Sequence, residues 1–186
     1  GKVDGYVVLF SRQNDPIIDY LCEEGALYVL IGKTNQFVNQ TICIDNDNLL
    51  AGQDATEYLI KSGHERIAFV GSNRNLIYSN DRRNGYRLAL MQHGIPIRPE
   101  YGIELLSLTQ NTFEPIQELM SLPEPPTAVV VSDDTLAVIV QYVCLRLGLS
   151  IPNDISIVSF NNSLFSNMNT PQLTTIDVNS FQLGIE

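Results

Sequence analysis

The sequence predicts an α/β fold in which parallel sheets are flanked by helices. Short apolar segments alternate along the chain with longer segments in which apolar residues recur at helical spacing. Apolar runs of roughly four to six residues without polar alternation are typical of strands covered on both faces, as in parallel sheets. Strands that alternate with helices form α/β domains with right-handed crossovers. These observations together define the expected fold class.

The apolar segments are the candidate strands. They are rich in β-branched residues, which pack well on a pleated surface. In chain order they are Gly5–Phe10, Leu27–Ile31, Thr41–Ile44, Ile67–Val70, Ile103–Leu106, Ala128–Val131, Ile155–Phe160 and Thr174–Val178.

Three candidate helices have ends that can be read from the sequence. Each is followed by glycine, which is favoured directly after a helix C-terminus. The first begins with the capping pair Asp47-Asn48, and the third begins with the carboxylates of Asp133 and Asp134 at the positive end of the helix dipole. The predicted helices are Asp47–Ser62, Ser79–His93 and Asp133–Leu147, followed by Gly63, Gly94 and Gly148.

Composition and charge restrict the classes of function. Of the 186 residues, 44% are hydrophobic and 17% charged, so the chain is expected to fold. The 11 Lys and Arg against 21 Asp and Glu give a net charge of −10, which repels phosphate backbones and argues against nucleic-acid binding by this chain. No apolar run approaches the roughly 20 residues that cross a bilayer. The widely spaced Cys22, Cys43 and Cys144 indicate buried thiols of a reducing compartment.

Enzyme signatures are absent from the sequence. The chain contains no GxxxxGK[ST] phosphate loop, no GxGxxG after a strand and no GxSxG. Two histidines are too few for a zinc site, and His64 is expected to cap the helix that ends before it. The segment Val129–Ala137 lacks the Thr-Gly of a ribose-phosphate site, so it favours helix capping with one carboxylate free to face a ligand. No catalytic residue, metal or cofactor is predicted.

Polar side chains follow nearly every predicted strand. In open α/β sheets, ligands bind beyond the carboxyl ends of the strands. Amide, hydroxyl and charged groups beside aromatic rings suit a neutral polyhydroxy ligand, because sugar hydroxyls both donate and accept and the rings cover sugar C–H faces. The alternative is that α/β loops are polar without binding anything. The residues concerned are Ser11, Arg12, Gly32, Lys33, Gly71–Asn75, Ser132, Asp133, Asn161 and Asn162, with Phe10, Tyr78 and Phe160 nearby.

Several longer motifs occur in a fixed order along the chain. They are Ala55–Ser72 (ATEYLIKSGHERIAFVGS), RxxGYxxAL beginning at Arg82, Pro126–Ala128, Ser132-Asp133, Ile151–Phe160 (IPNDISIVSF) and Pro171–Ile176 (PQLTTI). Together they resemble the LacI/GalR family of bacterial transcriptional regulators, over the chain from Val3 to its C-terminus. The segments Val3–Leu21, Gly32–Asn35 and Ile44–Asn48 are most similar to the maltose-operon repressor branch.

The resemblance implies a two-lobed effector-binding domain of the type I periplasmic-binding-protein-like fold. Its N-terminal lobe would be residues 1–46, incomplete, with a return strand at Thr174–Val178 within residues 173–186. Its C-terminal lobe would be residues 47–172, and the effector would bind between the lobes. The family also implies a homodimer, with Asp133–Leu147 and Ser163–Asn169 near the interface.

The resemblance further implies roles for individual residues. The Arg of RxxG commonly holds effector hydroxyls, which corresponds to Arg82. The family often has Asp-Asp where this chain has Asn161-Asn162; an amide donates and accepts whereas a carboxylate only accepts, so the hydroxyl pattern recognised is expected to differ. The full set of expected effector-binding residues is Ser11, Tyr78, Arg82, Ser132, Asp133, Asn161 and Asn162.

The expected function is effector sensing in a cytoplasmic LacI-type repressor of carbohydrate-utilisation genes, with maltose or a maltodextrin as effector. Operator DNA would bind through a headpiece that this chain does not contain. One alternative is the sugar-binding protein of a transport system, which shares the fold but is opposed by the GHERIAF and PQLTTI motifs. A second alternative is an enzyme acting on a sugar, which is opposed by the lack of an activated nucleophile or a paired acid and base.

The first part of the chain is expected to be poorly covered. Only one clear helix, near Asp15–Glu24, accompanies its strands, whereas a parallel sheet needs cover on both faces. One apolar side and an unpaired edge are therefore expected to face water, which predicts weak stability in isolation and further residues upstream, including a strand and a helix. The side chains concerned are Val7, Val8, Val29 and Leu30.

Overall fold

The computed structural model describes residues 3–105 and 112–185. The strands are β1 (Tyr6–Leu9), β2 (Tyr28–Ile31), β3 (Ile42–Ile44), β4 (Ile67–Gly71), β5 (Gly102–Glu104), β6 (Ala128–Val131), β7 (Ser156–Phe160) and β8 (Thr174–Ile176). The helices are α1 (Pro16–Glu23), α2 (Asn48–Lys61), α3 (Ile77–Gln92), α4 (Phe113–Met120), α5 (Asp134–Arg146), α6 (Leu164–Met168) and α7 (Ser180–Leu183). Of the strand predicted at Ile103–Leu106, Leu106 lies outside the described residues.

The strands form two parallel sheets. The small sheet has the strand order β1-β2-β3, and the large sheet has the order β5-β4-β6-β7-β8. Every pairing within them is parallel. The predicted α/β fold with parallel sheets flanked by helices is therefore confirmed.

The large sheet is covered on both faces. Ala68 and Val70 of β4 pack in the core cluster of α4 and α5, whereas Ile67 and Phe69 pack in the cluster of α2 and α3. Successive strand residues point to opposite faces, so both sets of helices are needed to bury one strand. All residues of β4 and β6 are buried as a result, which explains why their sequences lack polar alternation.

The small sheet has α1 against one face, and its opposite face is open. Ile18 and Leu21 of α1 pack against Tyr28 and Leu30 of β2. Val7, on the opposite face, is 69% exposed. The expected exposed apolar side is thus present at Val7, but Leu30 and Val8 belong to the covered side because side chains alternate along a strand.

The predicted burial of the cysteines is confirmed for Cys144, which lies in the core of the large sheet. It is wrong for Cys43, which is exposed on β3 of the small sheet, and Cys22 is half-buried.

The return strand belongs to the large sheet, so its predicted assignment to the first lobe is wrong. β8 pairs in parallel with β7, with Val158 opposite Thr174 and Phe160 opposite Ile176. The connection from β7 contains α6, and it is held against α5 because the Gln141 side-chain amide donates to the Pro171 carbonyl at 2.6 Å. Leu173 is buried in the same core cluster as α5. These contacts keep the chain beside β7 after it leaves that strand.

The predicted helix caps are confirmed at two helices. The Asp47 carboxylate accepts from the Leu50 N–H and the Asp133 carboxylate from the Leu136 N–H, each at 2.9 Å. α3 instead begins at Ile77, before the predicted start at Ser79, and its N-cap residue makes no side-chain cap bond.

The predicted role of His64 as a helix cap is wrong. Its ring nitrogens lie 3.0 Å from the Thr127 hydroxyl and 3.1 Å from the Ser156 hydroxyl. The imidazole therefore links α2 to the entries of β6 and β7, while the backbone N–H of His64 bonds the Leu59 carbonyl. The ring turns inward because two hydroxyls from neighbouring strands offer it partners there.

Candidate functional site

A cavity of about 490 Å³ lies where the carboxyl ends of the two sheets meet. The turns after β1, β2 and β3 form one wall, and the turns after β6 and β7 together with α3 form the other. This position agrees with the rule that ligands bind beyond the carboxyl ends of parallel strands. The lining residues are Phe10, Ser11, Ile31, Gly32, Lys33, Asp45, Asn46, Asn48, Ile77, Tyr78, Arg82, Asp133, Thr135, Asn161, Val178, Ser180 and Leu183.

Arg82 is the charged group most deeply embedded in this site. Its side chain is 4% exposed, and it donates from Nε to Asn48 Oδ1 at 2.9 Å, from one terminal nitrogen to the Ser132 carbonyl at 2.7 Å and from the other to Asn161 Oδ1 at 3.3 Å. A guanidinium has five N–H donors. These three bonds therefore leave two donors for a ligand in the cavity.

Aromatic rings enclose the Arg82 guanidinium. Its central carbon lies 4.4 Å from the centroid of Phe160 and 5.1 Å from that of Tyr78, one helical turn earlier on α3. Burial lowers the pKa of Arg82 to about 10, and the negative groups near it, Asp133 among them, oppose that shift. The guanidinium is therefore charged at neutral pH.

Tyr78 and Phe10 bring apolar faces into the cavity from opposite sides. Their ring centroids are 5.8 Å apart, although Phe10 follows β1 of the small sheet and Tyr78 lies on α3. Burial raises the pKa of Tyr78, and nearby Asp133 raises it further, so its hydroxyl remains protonated at neutral pH. Flat rings of this kind can cover the C–H face of a ligand while the hydroxyl bonds to its polar edge.

The two carboxylates at the start of α5 have different roles. Asp133 lines the cavity, caps the helix and accepts from the Ser132 hydroxyl at 3.0 Å. Asp134 is 1% exposed, and its oxygens accept from Ser159, Thr175 and the Ser163 N–H. Asp134 thus joins α5 to the ends of β7 and β8, and Asp133 is the carboxylate that can reach a ligand.

Five of the seven residues expected to bind an effector line the cavity, and two do not. Ser11, Tyr78, Arg82, Asp133 and Asn161 surround it. Ser132 lies behind the wall, fully buried, where its carbonyl accepts from Arg82 and its hydroxyl accepts from the Ser72 N–H.

The adjacent Asn161 and Asn162 point in different directions. Asn161 lies in an unusual backbone conformation, with φ of 96°, and its side-chain oxygen faces Arg82. Asn162 is exposed, and its side chain donates to Asp177 at 3.1 Å instead. The treatment of the two amides as one recognition pair is therefore wrong, because the backbone turn between them separates their side chains.

The sequence analysis did not name Asp45 or Asn48 as ligand candidates, nor the other polar lining residues Asn46, Thr135 and Ser180. Asp45, directly after β3, lines the cavity, and burial raises the pKa of its carboxyl. Asn48 lies between Asp45 and Arg82, although the sequence indicated only a helix cap there. Asp45 and Asn48 both belong to the IDNDN segment at Ile44–Asn48, so that motif was the available signal for them.

Lys33 connects the two sides of the cavity. Its ammonium group lies 3.0 Å from a carboxylate oxygen of Asp81 on α3, and the two side chains are 47% and 22% exposed. This hydrogen bond is the main reason why the pKa of Lys33 is raised. The pair spans from the turn after β2 to the helix that carries Arg82.

Within residues 3–105 and 112–185, His, Cys, Asp and Glu side chains do not form a group of three able to hold a metal ion. Over the same residues, none of the helices is long and apolar enough to cross a membrane.

Comparison with known proteins identifies the family. Residues 56–186 match the model of the periplasmic binding protein-like domain, and because this match covers more than half of the chain, the chain belongs to that family. Within the family it resembles the effector-binding domains of LacI/GalR regulators. The transcriptional regulator MalR of Staphylococcus xylosus is 36% identical over 183 residues, which are 98% of this chain and 53% of MalR.

Solved structures of transcriptional regulators are also similar to this chain. A LacI-type regulator from Bacillus cereus subsp. cytotoxis has a TM-score of 0.92 and 39% identity, covering 98% of this chain and 65% of its own. The regulator CelR in complex with cellobiose has a TM-score of 0.90 and 26% identity, covering 98% and 56%. The chain spans about half the length of the curated relatives it matches, and further curated regulators match at 30–33% identity.

Proposed function

We propose that this chain is the effector-sensing part of a LacI-type repressor of carbohydrate-utilisation genes, and that its effector is maltose or a maltodextrin. The observation that carries the proposal is the buried Arg82 guanidinium, which lies against two aromatic rings and keeps two donors for the cavity. Hydrogen bonds from a charged, desolvated donor are strong, so this group can supply much of the affinity for ligand hydroxyls.

The charges around the cavity favour a neutral ligand. Lys33 and Arg82 are balanced by Asp45 and Asp133, and an amide, Asn161, stands at the end of β7. Amides and carboxylates next to aromatic faces match sugar hydroxyls and sugar C–H surfaces. The cellobiose complex of CelR supports a disaccharide, and the similarity of the opening segments to the maltose-operon branch supports maltose.

The wider assembly is part of the same proposal. With a net charge of −10, this chain would act on operator DNA through a separate basic headpiece, in the cytoplasm. A homodimer would place copies of α5 and α6 together, where Tyr142, Leu145, Leu164 and Met168 are exposed. Light scattering on the full natural protein is expected to give a dimer, and a monomer at every concentration would contradict this assembly.

Isothermal titration calorimetry with a panel of sugars tests the proposed effector. Maltose and maltotriose are expected to bind, whereas glucose 6-phosphate and galacturonate, which carry negative charge, are expected to bind more weakly. Product analysis of the same mixtures is expected to show unchanged sugar, since the proposal is binding without catalysis. Tight binding of an anionic sugar and no binding of maltose would contradict the assignment.

A further inference from the structure

We infer that Asn48 is a positioning residue that sets the orientation of the Arg82 guanidinium. Asn48 is 2% exposed, and its side-chain oxygen accepts from Arg82 Nε at 2.9 Å. A planar guanidinium with Nε bonded on one side can rotate little, so its two terminal nitrogens are directed toward Ser132 and Asn161. The inference deepens the proposed function, because it concerns the same site.

The other end of the Asn48 amide is attached to the segment between the two sheets. Its nitrogen donates to Asp45 Oδ1 at 3.1 Å and to the Asn46 carbonyl at 3.3 Å. Asp45 and Asn46 directly follow β3 of the small sheet, and both line the cavity. The amide therefore joins the exit of the small sheet to the cation held by the large sheet, with one donor and one acceptor that neither Asp nor Ala can reproduce.

The backbones of α2 and α3 hold this contact in place. A Cβ added at Gly52 of α2 would overlap the backbone of Arg82, and one added at Gly85 of α3 would overlap the Leu49 carbonyl. The two helices thus touch through their main chains at the level of Asn48 and Arg82. A side chain on one helix is for that reason positioned accurately against a side chain on the other.

The Arg82 Nε–H signal in nuclear magnetic resonance spectra of the full natural protein tests the inference without a ligand. In the wild type this proton is expected to exchange slowly with water, because it is buried and bonded. Asn48→Ala is expected to shift the signal and to accelerate its exchange at least tenfold. Asn48→Asp keeps an acceptor for Nε, so the Arg82 Nε–H proton is expected to exchange slowly in this variant, although its chemical shift should differ from that of the wild type. The Nε–H signal of Arg83, on the same helix, is the matched control and should not move.

Unchanged Arg82 signals in both variants would overturn the inference. If the Ala variant does not fold, an unchanged Arg82 signal in the Asp variant alone would overturn it.

Adding maltose separates this result from the proposed function. If maltose binds the wild type, Asn48→Ala is expected to weaken the affinity for maltose about tenfold. Gln53→Ala, on the outer part of α2, should leave this affinity unchanged. If maltose does not bind the wild type while Asn48→Ala still alters the Arg82 signal, the positioning role is supported and the sugar assignment is not.

Discussion

The large and small sheets are built from the same kind of apolar segment but are buried to very different extents. Val130 of the large sheet is completely buried, whereas Val7 of the small sheet is 69% exposed. The large sheet has helices on both faces, and the small sheet has α1 on one. Two groups that reach the cavity show the same contrast: Arg82 is held by three hydrogen bonds, and Phe10 is 62% exposed.

This difference indicates that the two sides of the cavity contribute differently to ligand binding. Groups on the large-sheet side are fixed before a ligand arrives, so they lose little conformational entropy on binding and can supply affinity. Groups on the small-sheet side meet the other side through the Phe10–Tyr78 ring contact and the Lys33–Asp81 pair. We expect the small-sheet side to contribute mainly to closure over the ligand.

The largest expected effect is the loss of affinity when the large-sheet cation is removed. Arg82→Ala is expected to weaken sugar binding by about 2–4 kcal/mol, roughly 30- to 1,000-fold in Kd, because charged hydrogen bonds in a dry cleft are strong. Some stability should also be lost, since Asn48 and the Ser132 carbonyl lose their donor.

Calorimetry on folded protein measures the Arg82 effect, with Arg83→Ala as the control. Arg83 is adjacent in sequence, but its guanidinium lies over Phe69 and pairs with Glu104, away from the lining of the main cavity. Unchanged sugar affinity in Arg82→Ala would show that this guanidinium does not contact the effector.

The next effect compares the two sheets directly. Val130→Ala is expected to lower the free energy of unfolding by about 2 kcal/mol, because the cavity left in a two-sided core cannot be filled. Val7→Ala, which removes the same atoms from an exposed face, is expected to cost less than about 0.5 kcal/mol. Urea unfolding of this chain measures both, and equal losses would mean that the two sheets are equally well packed.

A smaller effect on sugar affinity is expected from the Lys33–Asp81 ion pair, which joins the small-sheet and large-sheet sides of the cavity. Lys33→Ala is expected to weaken sugar binding by less than about 1 kcal/mol, because the lysine is half-exposed and water screens the pair. The difference from wild type should shrink further at high salt. If calorimetry shows a loss as large as that of Arg82→Ala, affinity would be shared equally between the two sides.

The smallest effect is a pH dependence within the large sheet. Burial lowers the pKa of His64 in the folded protein from its ordinary value near 6.5, so the unfolded chain takes up a proton more readily. The stability that the neutral ring contributes is therefore present above about pH 6.5 and is lost as the pH falls through that value toward the folded pKa. Unfolding of wild type and His64→Gln at about pH 7.5 and about pH 5.5 should show a greater loss in the wild type. An equal loss in both would assign the pH dependence to other groups.

The sequence by itself determined the fold class, two helix caps and five of the cavity residues. Apolar segments without alternation occur where strands are buried on both faces, as at Ala128–Val131, which is β6 without change. Asp47 and Asp133 cap helices through bonds to residues three positions on. Ser11, Asp133 and Asn161 lie in the cavity because parallel strands bring their carboxyl ends to one edge. All of these features depend on local sequence or on a rule that holds for every parallel sheet.

Only the tertiary structure decided which strands and side chains each segment contacts. Thr174–Ile176 could add to either sheet on its own pattern, and contacts of the preceding loop with α5 placed it beside β7. Asn162 turned away from Asn161 toward Asp177, and Asn48 turned inward to Arg82, on account of groups distant in sequence. The direction of a polar side chain depends on which partners the rest of the chain brings within hydrogen-bond distance, and sequence spacing carries no record of them.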